Sequence, residues 1–404
     1  MRKPIVWIGL LLLVIAFFLF PPQKTATTTS IPSNPYVPRL IDSVEQFFQR
    51  AIQDSLITGA AVAIVSPDTI LYLGGFGYRN AITRDTVDIH SLFRIGSLSK
   101  GFAGVLAAKL HEEGLIALDD PVKRYFPEFI LRDSLASELV TLTHLLTHSP
   151  GLPYHTYTDL IEANQSLLEI ARQFHQVPLI GNPGEIYSYQ NAAFALVGPV
   201  LEAASGRSTS ELLEAYLFHP LQMERASASW ESIVKDSNVA LPHKGVGPGA
   251  QPQPLEPEFY NAVLAGGINA SISDMARWMH FLLNGHPSVL SRQTLKKTVF
   301  HPRINTRVRN RYFQRWHAHT ESWYGLGWRI HTYPDTAEGK TDTLYHHGGA
   351  VNGYRSEIAL YPEHQVGICV LFTSQNGLAA RVIPETFRRI EGPLQALRSW
   401  DPLP

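Results

Sequence analysis

Ser97-Leu98-Ser99-Lys100 puts a hydroxyl and an amine three residues apart at the head of an apolar stripe, Phe102, Val105, Leu106 and Leu110, which Gly114 is placed to stop. On a helix, positions i and i+3 share a face, so Ser97 and Lys100 are expected side by side while Ser99 points elsewhere. A serine hydroxyl is a weak nucleophile at neutral pH. It needs a base within hydrogen-bond reach and donors for the oxyanion that its attack creates. The positive end of a helix dipole adds to such a site. Taken alone the pattern is weak, because Ser232-Ile233-Val234-Lys235 repeats it.

Two further patterns supply what Ser97 lacks. Tyr189-Gln190-Asn191 follows the turn Asn182-Pro183-Gly184 and precedes the apolar run Ala192 to Ala204, which sets a phenol and an amide on a loop leading into a helix. A phenol of ordinary pKa ~10 becomes a usable base beside an ammonium, and Lys100 is the candidate ammonium. Tyr78-Arg79-Asn80 repeats this pattern too. His347-Gly348-Gly349-Ala350 opens a strand-rich C-terminal stretch. Its glycines allow close approach to a strand edge, and the Ala350 N–H is a candidate oxyanion donor.

The order Ser97-x-x-Lys100, Tyr189-x-Asn191, His347-Gly348-Gly349 resembles the serine β-lactamase and penicillin-binding-protein superfamily. Within it the match is to the class C β-lactamase-related branch, with its D-alanyl-D-alanine carboxypeptidase and esterase relatives. Leu118-Asp119-Asp120-Pro121, the run Thr143 to Pro153, Asp274 to Trp278, and Tyr324-Gly325-Leu326-Gly327-Trp328 extend the likeness over roughly residues 40–392. The resemblance implies an acyl-enzyme on Ser97, with Lys100 and Tyr189 sharing proton transfer as a coupled pair. It also implies an oxyanion hole from the backbone N–H groups of Ser97 and Ala350. Asn191, His347, Gly348 and Gly349 would then bind substrate, with no cofactor and no metal. The implied fold is α+β and β-lactamase/transpeptidase-like: an antiparallel sheet flanked by helices and an inserted all-helical region.

The third motif departs from the Lys-Thr-Gly of β-lactamases, with His347 for the Lys and Gly348 for the Thr. An imidazole of pKa ~6.5 is mostly neutral at pH 7.5, so the permanent cation for a substrate carboxylate is missing. A D-amino-acid peptide or ester is therefore expected over a β-lactam, and His347→Lys is expected to raise cephalosporin hydrolysis. Arg355 is a candidate replacement cation, with an ordinary strand-surface arginine as the alternative. A class C-like β-lactamase and a non-catalytic penicillin-binding-like sensor are the rival functions. Ser97, Lys100, Tyr189 and Asn191 are all present, which argues against the sensor. A metal hydrolase fares worse: His144 and His148 stand four apart, but Leu145-Leu146-Thr147 between them omits the base of H-E-x-x-H.

The elements that must hold these residues follow from periodicity. Leu40, Ile41, Val44, Phe47 and Phe48 mark an amphipathic helix. Ala60 to Val65 and Ile70 to Gly74 read as one hairpin, Ser356 to Tyr361 and Val366 to Thr373 as another apolar pair, and Phe387 to Leu397 as part of a final helix. An α/β region from 38–95 and 323–404 is expected to embrace a mainly helical region, 96–322. Residues 301–320 carry Arg303, Arg307, Arg309, Arg311 and Arg315 without an acid. They are expected on a solvated face, with anionic lipid or cell-wall polymer as the alternative.

Composition bounds the rest. Across 404 residues, 34 basic side chains face 35 acidic ones, which argues against a nucleic-acid partner. The single cysteine, Cys369, excludes an internal disulfide and a Cys-rich zinc site, and its apolar neighbours Val366 to Phe372 mark it as a core residue. Arg2 and Lys3 precede an uncharged run, Ile5 to Phe20. At 1.5 Å per residue that run spans ~24 Å against a ~30 Å hydrocarbon core. Residues 1–20 are thus expected to be a cleaved signal peptide or else an N-terminal anchor, with 21–37 as linker. The expected location is periplasmic or extracellular, tethered to the inner membrane by residues 5–20 if uncleaved. Expected partners are a small-molecule or peptide substrate, a cell-wall peptide, and the membrane through that segment.

Overall fold

The computed structural model describes residues 36–307, 311–334 and 341–399. The expected export segment, nearly all of the linker, and Arg309 lie outside the described residues.

Helix α1 (Tyr36–Gln53) buries Leu40, Val44, Phe48 and Ala51, one stripe of a 3.6-residue period. Strand β1 (Gly59–Val65) turns at Ser66, whose hydroxyl donates to the Thr69 carbonyl at 3.1 Å, into β2 (Ile70–Asn80), six residues longer than periodicity indicated. β3 (Asp85–Thr86) ends this arm, and β4 (Ile304–Asn305), β5 (Glu321–Tyr324), β6 (Arg329–Pro334), β7 (Thr341–Val351), β8 (Tyr354–Tyr361) and β9 (Val366–Phe372) form the other. They make one nine-stranded antiparallel sheet in the order β3-β2-β1-β9-β8-β7-β6-β5-β4. Chain ends meet at its centre, where β1 pairs β9 from Ala60 opposite Phe372 to Val65 opposite Gly367.

Both faces of the central strands are covered. Along β1, Ala61, Ala63 and Val65 pack toward the helical region, while Ala60, Val62 and Ile64 pack under α1 and the C-terminal helix Val382–Ser399. That two-sided burial is why residues 60–65 are apolar without alternation. Cys369 sits opposite Ala63 in β9, fully buried in the core on the helical side, as its neighbours indicated.

Helix α2 (Ser99–Glu112) corrects one expectation. It was expected to show a single apolar stripe, yet every residue from Ser99 to Ala108 is buried, so the helix runs through the middle of the molecule. Phe102 stacks on Trp278 of the helix Ile272–Asn284 with ring centroids 3.8 Å apart. Burial of each such large apolar side chain is worth about 1.5–3 kcal/mol, which makes α2 a stiff base for whatever stands at its head. Between 96 and 322 the elements are mostly short helices, but Ile272–Asn284 packs on β1 and β9 and so belongs spatially to the sheet. Among the described residues, no helix is long and apolar enough to cross a membrane.

Candidate active site

Ser97 stands on a 3-10 turn, Gly96–Leu98, that runs directly into α2. Gly96 takes φ +55, and a Cβ there would lie 2.9 Å from the Ala350 nitrogen, so only glycine brings this turn against β7. The turn is tied from both regions: Ile95 N–H donates to the Ile268 carbonyl at 3.1 Å, and Ser356 Oγ–H donates to the Ile95 carbonyl at 2.8 Å. Strand β7 pairs β6 only as far as His346, opposite Arg329. From His347 to Val351 the described residues pair it on the β8 side alone, leaving an open edge beside Ser97.

The side chains around Ser97 converge from distant segments. Lys100 Nζ lies 3.3 Å from Ser97 Oγ, as the i, i+3 spacing requires, and Tyr189 Oη–H donates to the same Oγ at 2.9 Å. Ser99 turns away and accepts from the Ile268 N–H at 3.2 Å. Lys100 is completely buried and also donates to Asn191 Oδ1 at 2.9 Å and to the Ala265 carbonyl at 2.6 Å. Burial first, then the charge of Arg329, push its ammonium well below the usual lysine range. Tyr189 moves the other way: burial raises its phenol, and the Arg329 charge only partly opposes that. The permanent cation beside Tyr189 is thus Arg329, whose guanidinium lies 5.4 Å from the phenol ring and donates to Tyr187 Oη at 2.8 Å.

Asn191 opens the short helix Asn191–Ala195, so its amide reaches both Lys100 and, at 3.5 Å, Thr158 Oγ1. Ser97, Tyr189, Asn191, Gly348 and Ala350 line one cleft of about 440 Å³. Gly349 packs beneath it, where a Cβ would lie 3.1 Å from Leu98 Cδ1. His347 does not line the cleft. It is 1 % exposed, with Nε2 2.8 Å from Tyr324 Oη and Nδ1 2.8 Å from the Gly348 carbonyl, and burial lowers its pKa well below the ordinary value. The expectation that the third motif lacks a nearby cation also needs correction, because Arg311, Arg329 and Arg355 all line the cleft.

Several of these residues escaped sequence reasoning. Arg329 directly follows the Tyr324–Trp328 run, which was the available signal. Arg311 lay in the basic stretch, but that stretch is no single face: Arg315 lines a different cavity, and Arg303 donates to the Thr298 carbonyl at 3.4 Å. Tyr312 and Glu357 carried no pattern at all. The space where a Thr at 348 would project is taken by Tyr312, since a Cβ on Gly348 would sit 2.5 Å from its Oη. Arg355 pairs with the buried Glu357, which also accepts from Tyr312 Oη at 3.0 Å. His144 and His148 do not act as a zinc pair: the helix Leu142–Leu146 ends between them, His144 Nδ1 accepts from the Thr141 N–H at 3.1 Å, and His148 takes φ +57.

Known proteins are similar to this chain over most of its length. The Beta-lactamase family model covers residues 44–390. The chain belongs to the Beta-lactamase family. It is 26% identical to the "Beta-lactamase" of Escherichia coli (strain K12) over 370 residues, covering 84% of this chain and 90% of that protein. It is 24% identical to "Protein flp" of Staphylococcus aureus (strain MW2) over 339 residues, 81% of this chain but 62% of that longer protein. The octameric penicillin-binding protein homologue from Pyrococcus abyssi superposes with a TM-score of 0.72 and 27% identity, over 86% of this chain and 77% of that one. Membership places the chain in the serine β-lactamase and penicillin-binding-protein superfamily, whose fold is the α+β architecture described above.

Proposed function

We propose that this Beta-lactamase family member is an exported serine hydrolase working through an acyl-enzyme on Ser97, with a D-amino-acid peptide or ester as substrate. The observation that carries the proposal is Ser97 Oγ held between Lys100 Nζ at 3.3 Å and Tyr189 Oη at 2.9 Å.

The surroundings of Lys100 support it as the first base. A neutral amine has two N–H groups and one lone pair. The two N–H groups go to Asn191 Oδ1 and the Ala265 carbonyl, which leaves the lone pair for the Ser97 hydroxyl. Lys100, whose ammonium is destabilised by burial and by the charge of Arg329, takes the serine proton in its neutral form as Oγ attacks the carbonyl carbon. Developing negative charge meets the Ser97 and Ala350 N–H groups. Tyr189, kept a phenol by burial, gives its proton to the leaving atom, and the Lys100 ammonium restores it. Water then attacks the acyl-enzyme through the same pair in reverse.

The preference over a β-lactam rests on the shape of the third motif, where His347 is buried away from the cleft and Gly348 has no hydroxyl, so the Lys-Thr-Gly pair is not reproduced at the strand edge even though arginines line the cleft. Arg311 and Arg355 at the cleft support an acid-bearing substrate. Export rests on Arg2, Lys3 and the uncharged Ile5 to Phe20, and fractionation with and without residues 1–20 tests it. The decisive experiment is one panel of D-alanyl peptide, p-nitrophenyl ester and nitrocefin with wild type and Ser97→Ala. Wild type is expected to turn over the first two faster than nitrocefin and to gain acyl mass on Ser97. Wild-type turnover by Ser97→Ala would end the proposal.

A further inference from the structure

Three buried side chains that the proposed chemistry does not use lie on one line of hydrogen bonds: His148, Tyr324 and His347. The Gln190 N–H donates to His148 Nδ1 at 3.1 Å, His148 Nε2 lies 3.2 Å from Tyr324 Oη, that Oη lies 2.8 Å from His347 Nε2, and His347 Nδ1 lies 2.8 Å from the Gly348 carbonyl. The three side chains come from three segments separated by up to 199 positions, yet each is 0–1 % exposed.

Backbone groups at the two ends dictate every proton between them. An amide N–H can only donate, so His148 Nδ1 carries a lone pair and its proton sits on Nε2. A carbonyl can only accept, so the His347 proton sits on Nδ1 and its Nε2 carries the lone pair. Tyr324 is left to receive from His148 and donate to His347, which its single hydroxyl does without leaving a buried group unpaired. The two ends demand the same direction, so the line is satisfied in one arrangement of neutral rings.

What the line joins gives it a purpose. His148 grips the Tyr189 segment at two points, since its carbonyl accepts from the Ser188 N–H at 2.8 Å and its ring accepts from Gln190, and its ring centroid is 4.2 Å from that of Tyr189. It holds φ +57 to do so, a conformation uncommon outside glycine that persists where the surroundings require it. At the other end His347 fixes the Gly348 carbonyl, two residues before Ala350. We propose that His148, Tyr324 and His347 form a tautomer-locked relay that holds the loop carrying Tyr189 and the strand edge carrying Ala350 at a fixed separation, making all three positioning residues for Ser97 chemistry. Charge on either ring would break the relay, and the permanent charge of Arg329 of β6 opposes it, Lys100 of α2 adding to that opposition whenever it is protonated, with neutral Tyr187, Tyr189 and Tyr324 around the rings and His346 of β7 acting from the other face of the sheet.

The kinetic half of the test rests on Ser97 being the nucleophile, and the spectroscopic half does not. Full-length protein labelled with 15N at histidine, assigned with single His→Gln variants, is expected to show the proton on Nε2 of His148 and on Nδ1 of His347. Neither ring is expected to titrate between about pH 8 and pH 5, where an ordinary histidine would. The opposite tautomer at either ring, or titration near ~6.5, would overturn the relay. Tyr324→Phe removes one hydroxyl and keeps the ring. It is expected to lower kcat on the order of tenfold to a hundredfold with KM within about twofold, because the misplaced groups act in the transition state. A folded Tyr324→Phe with wild-type kcat refutes the positioning role, and if that variant does not fold the tautomers decide alone. Should Ser97→Ala retain turnover while the tautomers are as stated, the proposed function fails and the relay stands.

Discussion

His346 and His347 are neighbours of one chemical type, and the pleat of β7 sends them to opposite faces of the sheet. His347, level with Ile358, faces the helical region and spends both ring nitrogens on neutral groups. His346, level with Ala359, faces the terminal helices among Tyr312, Phe313 and Trp316, and its Nε2 lies 2.8 Å from Glu357 Oε2. Its Nδ1 lies 3.3 Å from His331 Nε2, and His331 Nδ1 in turn lies 2.8 Å from Ser322 Oγ. One face therefore carries a relay between two backbone groups, and the other a chain that ends on a buried carboxylate holding Arg355 and Tyr312 at the cleft. The difference teaches that a histidine's work is set by what terminates its hydrogen-bond chain. A backbone terminus fixes geometry, while a carboxylate terminus anchors charge.

The contrast can be broken from either face. The largest effect is expected on the Glu357 side, because Glu357→Gln leaves Arg355 without its buried counter-charge. Removing one partner of such a pair costs about 3–5 kcal/mol, read as a lower urea midpoint. The same variant should raise KM for an acid-bearing D-peptide more than for a neutral ester, and equal changes would show that Arg355 does not meet the substrate. Next is His347→Lys. The sequence alone suggested that this change would raise cephalosporin hydrolysis, but a lysine cannot accept from Tyr324, so turnover of every substrate in the panel is expected to fall about tenfold. A gain in nitrocefin turnover would instead make position 347 a substrate contact. The smallest effect is expected from the charge that both faces share. Lys100 must be neutral to act as base, so kcat/KM rises with pH through its depressed pKa. Burial is the larger cause of that depression and Arg329 the lesser, so Arg329→Gln should raise the Lys100 pKa part of the way and move the acid limb to higher pH. An unmoved limb would separate Arg329 from the base.

Much of the frame was legible. The apolar runs at 60–65 and 366–373 announced strands, and the order of three motifs announced the family. The Ser97 to Lys100 contact followed from helix pitch alone. Other features were misread for physical reasons. Position 347 was taken as a substrate contact by analogy with a lysine, but an imidazole is short enough to be swallowed by the core, where Tyr324 meets it. The arginines of 301–320 looked like one face because they are close in sequence, yet the turn at Tyr312–Arg315 sends Arg311 to the cleft and Arg315 to the far side. Arg355 could be weighed only as a guess, since its partner Glu357 is one more acid until the strand is placed.

The sequence by itself determined the family, an antiparallel sheet built from both ends of the chain, and which hydroxyl and amine share a helical face. These depend on short apolar runs, on the 3.6-residue helical period and on the order of motifs, all of which can be read along the chain. Tertiary structure alone decided that Tyr189 reaches Ser97 across 92 positions, that Arg329 is the cation beside them, and that burial destabilises charge on Lys100 and His347. Those outcomes depend on desolvation and on charges brought close by packing, and neither quantity exists until distant segments have excluded the water between them.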